Sequence, residues 1–158
     1  MHKTLTLIRH AKASFSNTRS DHQRALSELG RQQVEQASRE LQLRMLSFEL
    51  IFCSDALRTK QTAELLHQQM QHSSLRYRDD LYLASMDTLL KYINAVPNQY
   101  QHVAVIGHNP GLSDLWCHLT GQHSASLATC AIVRLTLSCD DWRAVDYAST
   151  VKSEYIRV

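Results

Sequence analysis

The chain has 158 residues, 44% hydrophobic and 20% charged, the balance of one globular domain over 1–158 with a core that needs no staples. Its formal net charge is +2, with no block of like charges, which argues against nucleic-acid or membrane-surface partners, since those leave a basic stripe. No stretch approaches a membrane span, and the apolar run after Lys3 is too short for a signal peptide.

The cysteines at 53, 117, 130 and 139 show no C-x-x-C spacing, so neither a zinc knuckle nor a thioredoxin-type site is read. Cys53 and Cys130 lie in apolar runs and read as small core residues. Reduced thiols and a cytoplasmic location follow as expectations.

In chain order, residues 4–8 (TLTLI) predict a buried strand. Residues 27–46 predict a helix with Leu29, Val34, Ala37 and Leu41 inward and Ser27 as an imperfect cap. Glu49 to Cys53 predicts a second strand, and Ala56 to Gln71 a helix with Leu57, Thr62, Leu65, Leu66 and Met70 inward. Residues 75–83 read as extended or irregular, and Asp87 to Val96 as a short helix stopped by Pro97. His102 to Ile106 predicts a third strand, and Gly111 to Leu119 a helix ending near Gly121. Residues 130–138 and 142–148 predict an antiparallel pair turning at Asp140-Asp141. Three strand–helix units and a hairpin predict a three-layer α/β/α sandwich with a mostly parallel central sheet.

Each leading strand ends in a polar cluster: Arg9-His10, then Cys53-Ser54-Asp55 with Arg58 just beyond, then Gly107-His108-Asn109-Pro110. Parallel strands end on one edge, so these clusters should meet there. Two Arg and two His at one edge suit a dianion such as phosphate, which Arg grips with paired hydrogen bonds. The N-termini of the helices near Ala56 and Gly111 would add N–H groups. No G-x-x-x-x-G-K-[ST] loop is present. A metal held by His10 and His108 is disfavoured beside two guanidinium groups, and no acidic residue sits within either His cluster. Neither metal nor cofactor is expected.

Leu7 to Lys12 (LIRHAK), Ser54 to Thr62 (SDALRTKQT) and Val105 to Leu112 (VIGHNPGL) resemble the histidine phosphatase superfamily. Within it the chain resembles the small SixA-like phosphohistidine phosphatases, and Asp21 to Gln32 is similar to that group's segment after the first strand. The resemblance spans most of residues 4–120. It implies a phosphoglycerate mutase-like fold without a cap domain. It implies His10 as the nucleophile that takes up the phosphoryl group, with Arg9, Arg58 and His108 holding the phosphate oxygens. Catalysis would be mostly positioning and charge stabilisation, with His10 unprotonated and His108 most useful when protonated.

Three departures matter. Ala11 stands where most of the superfamily has Gly, as often in the phosphohistidine group. Asp55 stands where Pro is usual, and is expected to face away from the pocket or cap the helix. The segment supplying a general acid in larger members reads Arg78-Asp79-Asp80-Leu81-Tyr82-Leu83; Asp80 is the nearest candidate, and a solvated loop residue is an equal reading. A site without a strong acid suits P–N better than P–O cleavage, because imidazole departs readily. Residues 73–101 leave no room for a cap, so an open site would admit a phosphorylated protein side chain.

Arg24 and Asn109 are further candidates for the phosphate, with Lys12 and Ser14 behind them. His2, His67, His72, His118 and His123 read as surface residues, and Trp116 and Trp142 as core. The expectation is a monomeric, cofactor-free phosphatase of protein phosphohistidine. The alternatives are a phosphatase of small esters or nucleotides and a catalytically inactive phosphoprotein-binding module, with a mutase least favoured.

Overall fold

The apolar run Thr4–Arg9 forms β1, buried on both faces until Arg9. The computed structural model describes residues 2–15, 20–68 and 73–158. After β1 come α1 (Glu28–Leu43), β2 (Leu50–Ser54), α2 (Leu57–His67), β3 (Ser74–Arg78), α3 (Met86–Asn94), β4 (His102–Gly107), α4 (Gly111–Thr120), β5 (Ile132–Leu137) and β6 (Thr150–Ile156). The sheet order is β3-β2-β4-β1-β5-β6. The first four strands run parallel, while β5 and β6 are antiparallel to their neighbours.

The strands in the middle are apolar on both faces because both faces are covered, as a parallel sheet requires. Val34, Ala37 and Leu41 of α1 and Ala63 and Leu66 of α2 pack on Ile8, Ile51 and Ile106. Leu89 and Ile93 of α3 and Leu112, Leu115 and Leu119 of α4 pack on Leu7, Phe52 and Val105. This is the expected three-layer α/β/α sandwich. Among the described residues, β3, a 3-10 turn and α3 are the only elements between α2 and β4, with no cap domain there.

Pairing aligns the strand ends. Arg9 stands opposite Gly107 across β1 and β4, and Cys53 opposite Ile106 across β2 and β4. His10, Ser54 and His108 therefore come off the same edge.

The predicted strand over 142–148 is a correction. Trp142–Ala144 is a 3-10 turn, and β5 pairs instead with β6. Trp142 and Val145 are both buried, and that three-residue spacing fits a tight helical turn rather than a strand. Trp142 is pinned by its indole N–H, which donates to Tyr100 O at 2.7 Å. As an edge strand, β6 is largely exposed and carries no apolar alternation to read.

Smaller differences have similar causes. Residues 75–83 read as extended or irregular, and their first part belongs to an edge strand on β2, Ser74–Arg78. Leu29 is exposed at the first turn of α1, and Gly30 takes the inward position. A Cβ there would stand 2.1 Å from Lys12 O, so the loop after β1 lies directly on the helix. Ser27 does cap α1, accepting from Gly30 N. Trp116 is half-buried, its ring stacked on Tyr155 at 5.4 Å. The end of the predicted second helix, with Met70, lies outside the described residues, as does His72.

Candidate active site

The cleft at this edge has a volume of about 460 Å³ and is lined by Arg9, His10, Arg24, Arg58, His108 and Asn109, among others. All three strand-end clusters contribute to it. A slightly larger groove of about 520 Å³ lies between α1 and α2. It carries Arg31, Glu35 and Arg39 but neither imidazole, whereas the sheet-edge cleft carries His10 and His108 together with Arg9 and Arg58.

His10 follows directly on β1. Its backbone N–H donates to Gly107 O at 3.1 Å, and its carbonyl accepts from Cys130 N at 3.0 Å. The ring Nδ1 lies 2.8 Å from Ala11 O. A carbonyl only accepts, so Nδ1 carries the proton and Nε2 presents a lone pair. Arg58 Nε points at that Nε2 from 3.3 Å. Burial, chiefly, pushes the His10 pKa down to about 4; the Ala11 carbonyl opposes the shift, and Arg58, Arg9 and Arg24 add to it.

His108 is set by the same logic in reverse. Arg58 Nη2 lies 3.3 Å from Nδ1, and Nε2 lies 2.8 Å from Ser54 Oγ. A guanidinium only donates, so Nδ1 accepts and Nε2 carries the proton. Burial first, then His10 and Arg58, push its pKa down to about 3. Both imidazoles are thus neutral near pH 7, whereas a protonated His108 is what phosphate would use best. A dianion arriving beside them would raise both values.

Arg58 is the hub. It sits in the first turn of α2 with only 3% of its surface exposed. Its Nε and Nη2 reach the two imidazoles, Nη1 donates to Asp21 O at 2.8 Å, and Nη2 also donates to Asp21 Oδ2 at 3.0 Å. Arg9 donates from Nη1 to Leu127 O at 3.0 Å. Its Nε is buried without a hydrogen-bond partner among the described residues.

Arg24 also lines the cleft, donating from Nε to Ser14 O at 3.0 Å and from Nη1 to Asp21 Oδ1 at 2.9 Å. Asn109 Nδ2 donates to Leu127 O at 2.9 Å, and its Oδ1 accepts from Ser113 at 2.6 Å. Lys12 is exposed on the rim. Asp55 does not cap α2; it faces away, 2.8 Å from His22 Nε2. Asp80 is exposed, accepts from the Tyr92 hydroxyl at 2.6 Å and does not line the cleft.

Asp21 and Ser54 are the residues whose parts here sequence reasoning missed. Asp21 holds Arg58 and Arg24 together and also accepts from the Tyr82 hydroxyl at 2.5 Å. The bonds from Tyr82 and Arg24 hold its pKa well below the usual carboxylate range. The Asp21–Arg24 spacing was a legible signal; the long-range bond to Arg58 was not. Among the described residues, no three His, Cys, Asp or Glu side chains form a metal-ligating group. No helix among them is long and apolar enough to cross a membrane.

Residues 5–83 match the histidine phosphatase superfamily (branch 1). The chain belongs to the histidine phosphatase superfamily. An uncharacterized protein of Mycobacterium leprae is 31% identical over 119 residues, covering 73% of this chain and 72% of that relative. The superfamily fold is shared with a structure from Nakamurella multipartitia that bears the name phosphohistidine phosphatase SixA. The two are 26% identical with a TM-score of 0.83, over 99% of this chain and 95% of that one. A structure of the same name from Agrobacterium tumefaciens is 26% identical with a TM-score of 0.81, over 87% of this chain and 93% of that one.

Proposed function

We propose that the protein is a phosphatase of protein phosphohistidine that works through a phosphohistidine on His10. One observation carries this reading: the Nε2 lone pair of a neutral His10 stands in a cleft with Arg9, Arg58 and His108. That nitrogen attacks phosphorus while the P–N bond to the substrate imidazole breaks. The leaving nitrogen takes its proton from solvent and departs neutral. Water then attacks the phosphoryl group on His10, giving inorganic phosphate and restoring the ring. Arg9 and Arg58 neutralise the equatorial oxygens through both steps, with His108 beside them.

Two features support a P–N substrate. Among the described residues, no carboxylate lines the cleft, so a poor alkoxide leaving group would find no carboxylic acid there. Among the described residues no cap domain stands over the site, which supports access by a side chain on another protein. The names of the SixA structures agree with this assignment.

The test offers the protein a phosphohistidine protein and a simple phosphate ester, and traps acid-labile phosphoenzyme. We expect faster turnover of the phosphohistidine, loss of the trapped species in His10→Ala, and its retention in His118→Ala. A trapped phosphoenzyme that survives in His10→Ala sinks the proposal. Ester hydrolysis that outpaces P–N hydrolysis and vanishes in Asp80→Asn would favour a small-ester phosphatase, and binding without turnover an inactive module.

A further inference from the structure

Two large apolar side chains stand in the open beside the cleft. Phe15 is 85% exposed and Leu83 is 53% exposed, and both line the cavity that holds His10 and His108. They come from different loops, one after β1 and one before α3. Exposed apolar side chains gathered beside a polar site mark contact surfaces.

Both are held in place. The Phe15 ring lies under the Arg24 guanidinium, 4.3 Å from its centroid to the central carbon. That guanidinium is itself fixed by Ser14 O and Asp21 Oδ1. Leu83 has φ +47°, a left-handed conformation that a branched side chain adopts only at a cost. Its neighbour Ala84 packs so tightly on α4 that a Cβ at Gly111 would stand 2.0 Å from Ala84 O. The fold thus maintains a strained backbone that leaves a leucine in water at the mouth of the cleft. Strain of this kind concentrates at ligand clamps.

We propose that Phe15 and Leu83, both lining the cleft that holds His10, form an apolar rim that selects a folded phosphoprotein with an apolar side chain flanking its phosphohistidine. This rests on the phosphohistidine reading above and adds the partner's chemistry to it. The phosphoryl group enters between the arginines, and the flanking apolar side chain is buried between Phe15 and Leu83. A phosphorylated small molecule has no such neighbour and gains nothing from the rim.

The test uses a helical-bundle protein with one surface histidine phosphorylated by phosphoramidate. It is made in two forms, with Leu or Ser four residues from that histidine; phosphoimidazole is the small substrate. Burying one leucine is worth roughly a tenfold preference at least, so kcat/KM should favour the Leu form by about that factor. In Phe15→Ser and in Leu83→Asn the ratio of kcat/KM for the Leu form to that for phosphoimidazole should fall about tenfold. Asn tolerates a positive φ, so Leu83→Asn should stay folded, and an unchanged melting curve would verify this. Equal turnover of the Leu and Ser forms, or a ratio within twofold of the parent in both variants, overturns the rim alone. A parent enzyme that turns over none of the three substrates overturns the phosphohistidine reading and the rim with it.

Discussion

Arg58 Nε stands 3.3 Å from Nε2 of His10, the nitrogen that carries the lone pair. The same guanidinium reaches Nδ1 of His108. Burial chiefly keeps both rings neutral, and this one cation adds to it at the nitrogens they turn toward it. In the proposed reaction, the guanidinium that disfavours protonation of His10 would also hold the oxygens of an incoming phosphate.

Replacing that cation should be costly. Arg58→Ala is expected to lower kcat/KM for a phosphohistidine substrate by about 100–1,000-fold, the usual loss for one electrostatic donor. Arg58→Lys should recover only part of it, because an ammonium cannot span His10, His108 and Asp21 at once. Near-parental turnover in Arg58→Ala, measured with the phosphohistidine protein, would remove Arg58 from the chemistry.

Asp21 acts through Arg58. Its carboxylate binds Arg58 Nη2, Arg24 Nη1 and the Tyr82 hydroxyl. Asp21→Asn should misplace the guanidinium and cost about 10–100-fold in kcat/KM. Its side chain is 46% exposed, so stability should change by only about 1 kcal/mol or less. Urea melts beside steady-state rates separate the two effects; a large loss of stability with normal turnover would contradict this role.

The two imidazoles set an acid limit. In the folded state their pKa values lie near 4 and 3, below the ordinary 6.5. Between those limits the unfolded chain binds protons that the native protein refuses, so stability falls as pH falls. The contribution is fully present above about 6.5 and is lost progressively as pH falls through about 4 for His10 and about 3 for His108. Melting temperature should decline over that window, and less steeply in His10→Gln/His108→Gln. An equal decline in parent and double variant would show that other groups carry it.

Phosphate should reverse the shift. Imidazole NMR titration of the free protein is expected to place His10 near 4. Adding inorganic phosphate should move both His10 and His108 upward, because a nearby dianion favours the charged ring. A His10 that titrates at an ordinary value in the free protein would contradict the buried, neutral ring.

Gly30 tests the scaffold. A Cβ there meets the Lys12 carbonyl at 2.1 Å, backbone against backbone, so Gly30→Ala should destabilise by about 1–3 kcal/mol. Because Lys12 lies two residues after His10, activity should fall in step at a temperature where the variant remains folded. An unchanged melting temperature would mean the loop moves freely off α1.

The cleft's main residues were legible because the parallel sheet is directional. Apolar runs that stop at Arg9-His10, Ser54 and Gly107-His108 must bring those residues to one edge once the strands run parallel. The last strand was not legible: β6 lies at an edge, mostly exposed, so burial imposes no alternation on it. Trp142 misled for the opposite reason, being an apolar residue buried by a turn.

By itself, the sequence determined which side chains sit at the sheet edge, since chain direction and apolar patterning are local properties. Only the tertiary structure decided what state they are in. The proton on His10 is placed by the Ala11 carbonyl and by an arginine 48 positions away, and the proton on His108 by Ser54, 54 positions away. Asp21 becomes part of the site only because it meets Arg58 across 37 positions. Protonation and charge depend on what lies within a few ångströms in space, and distant segments supply most of that.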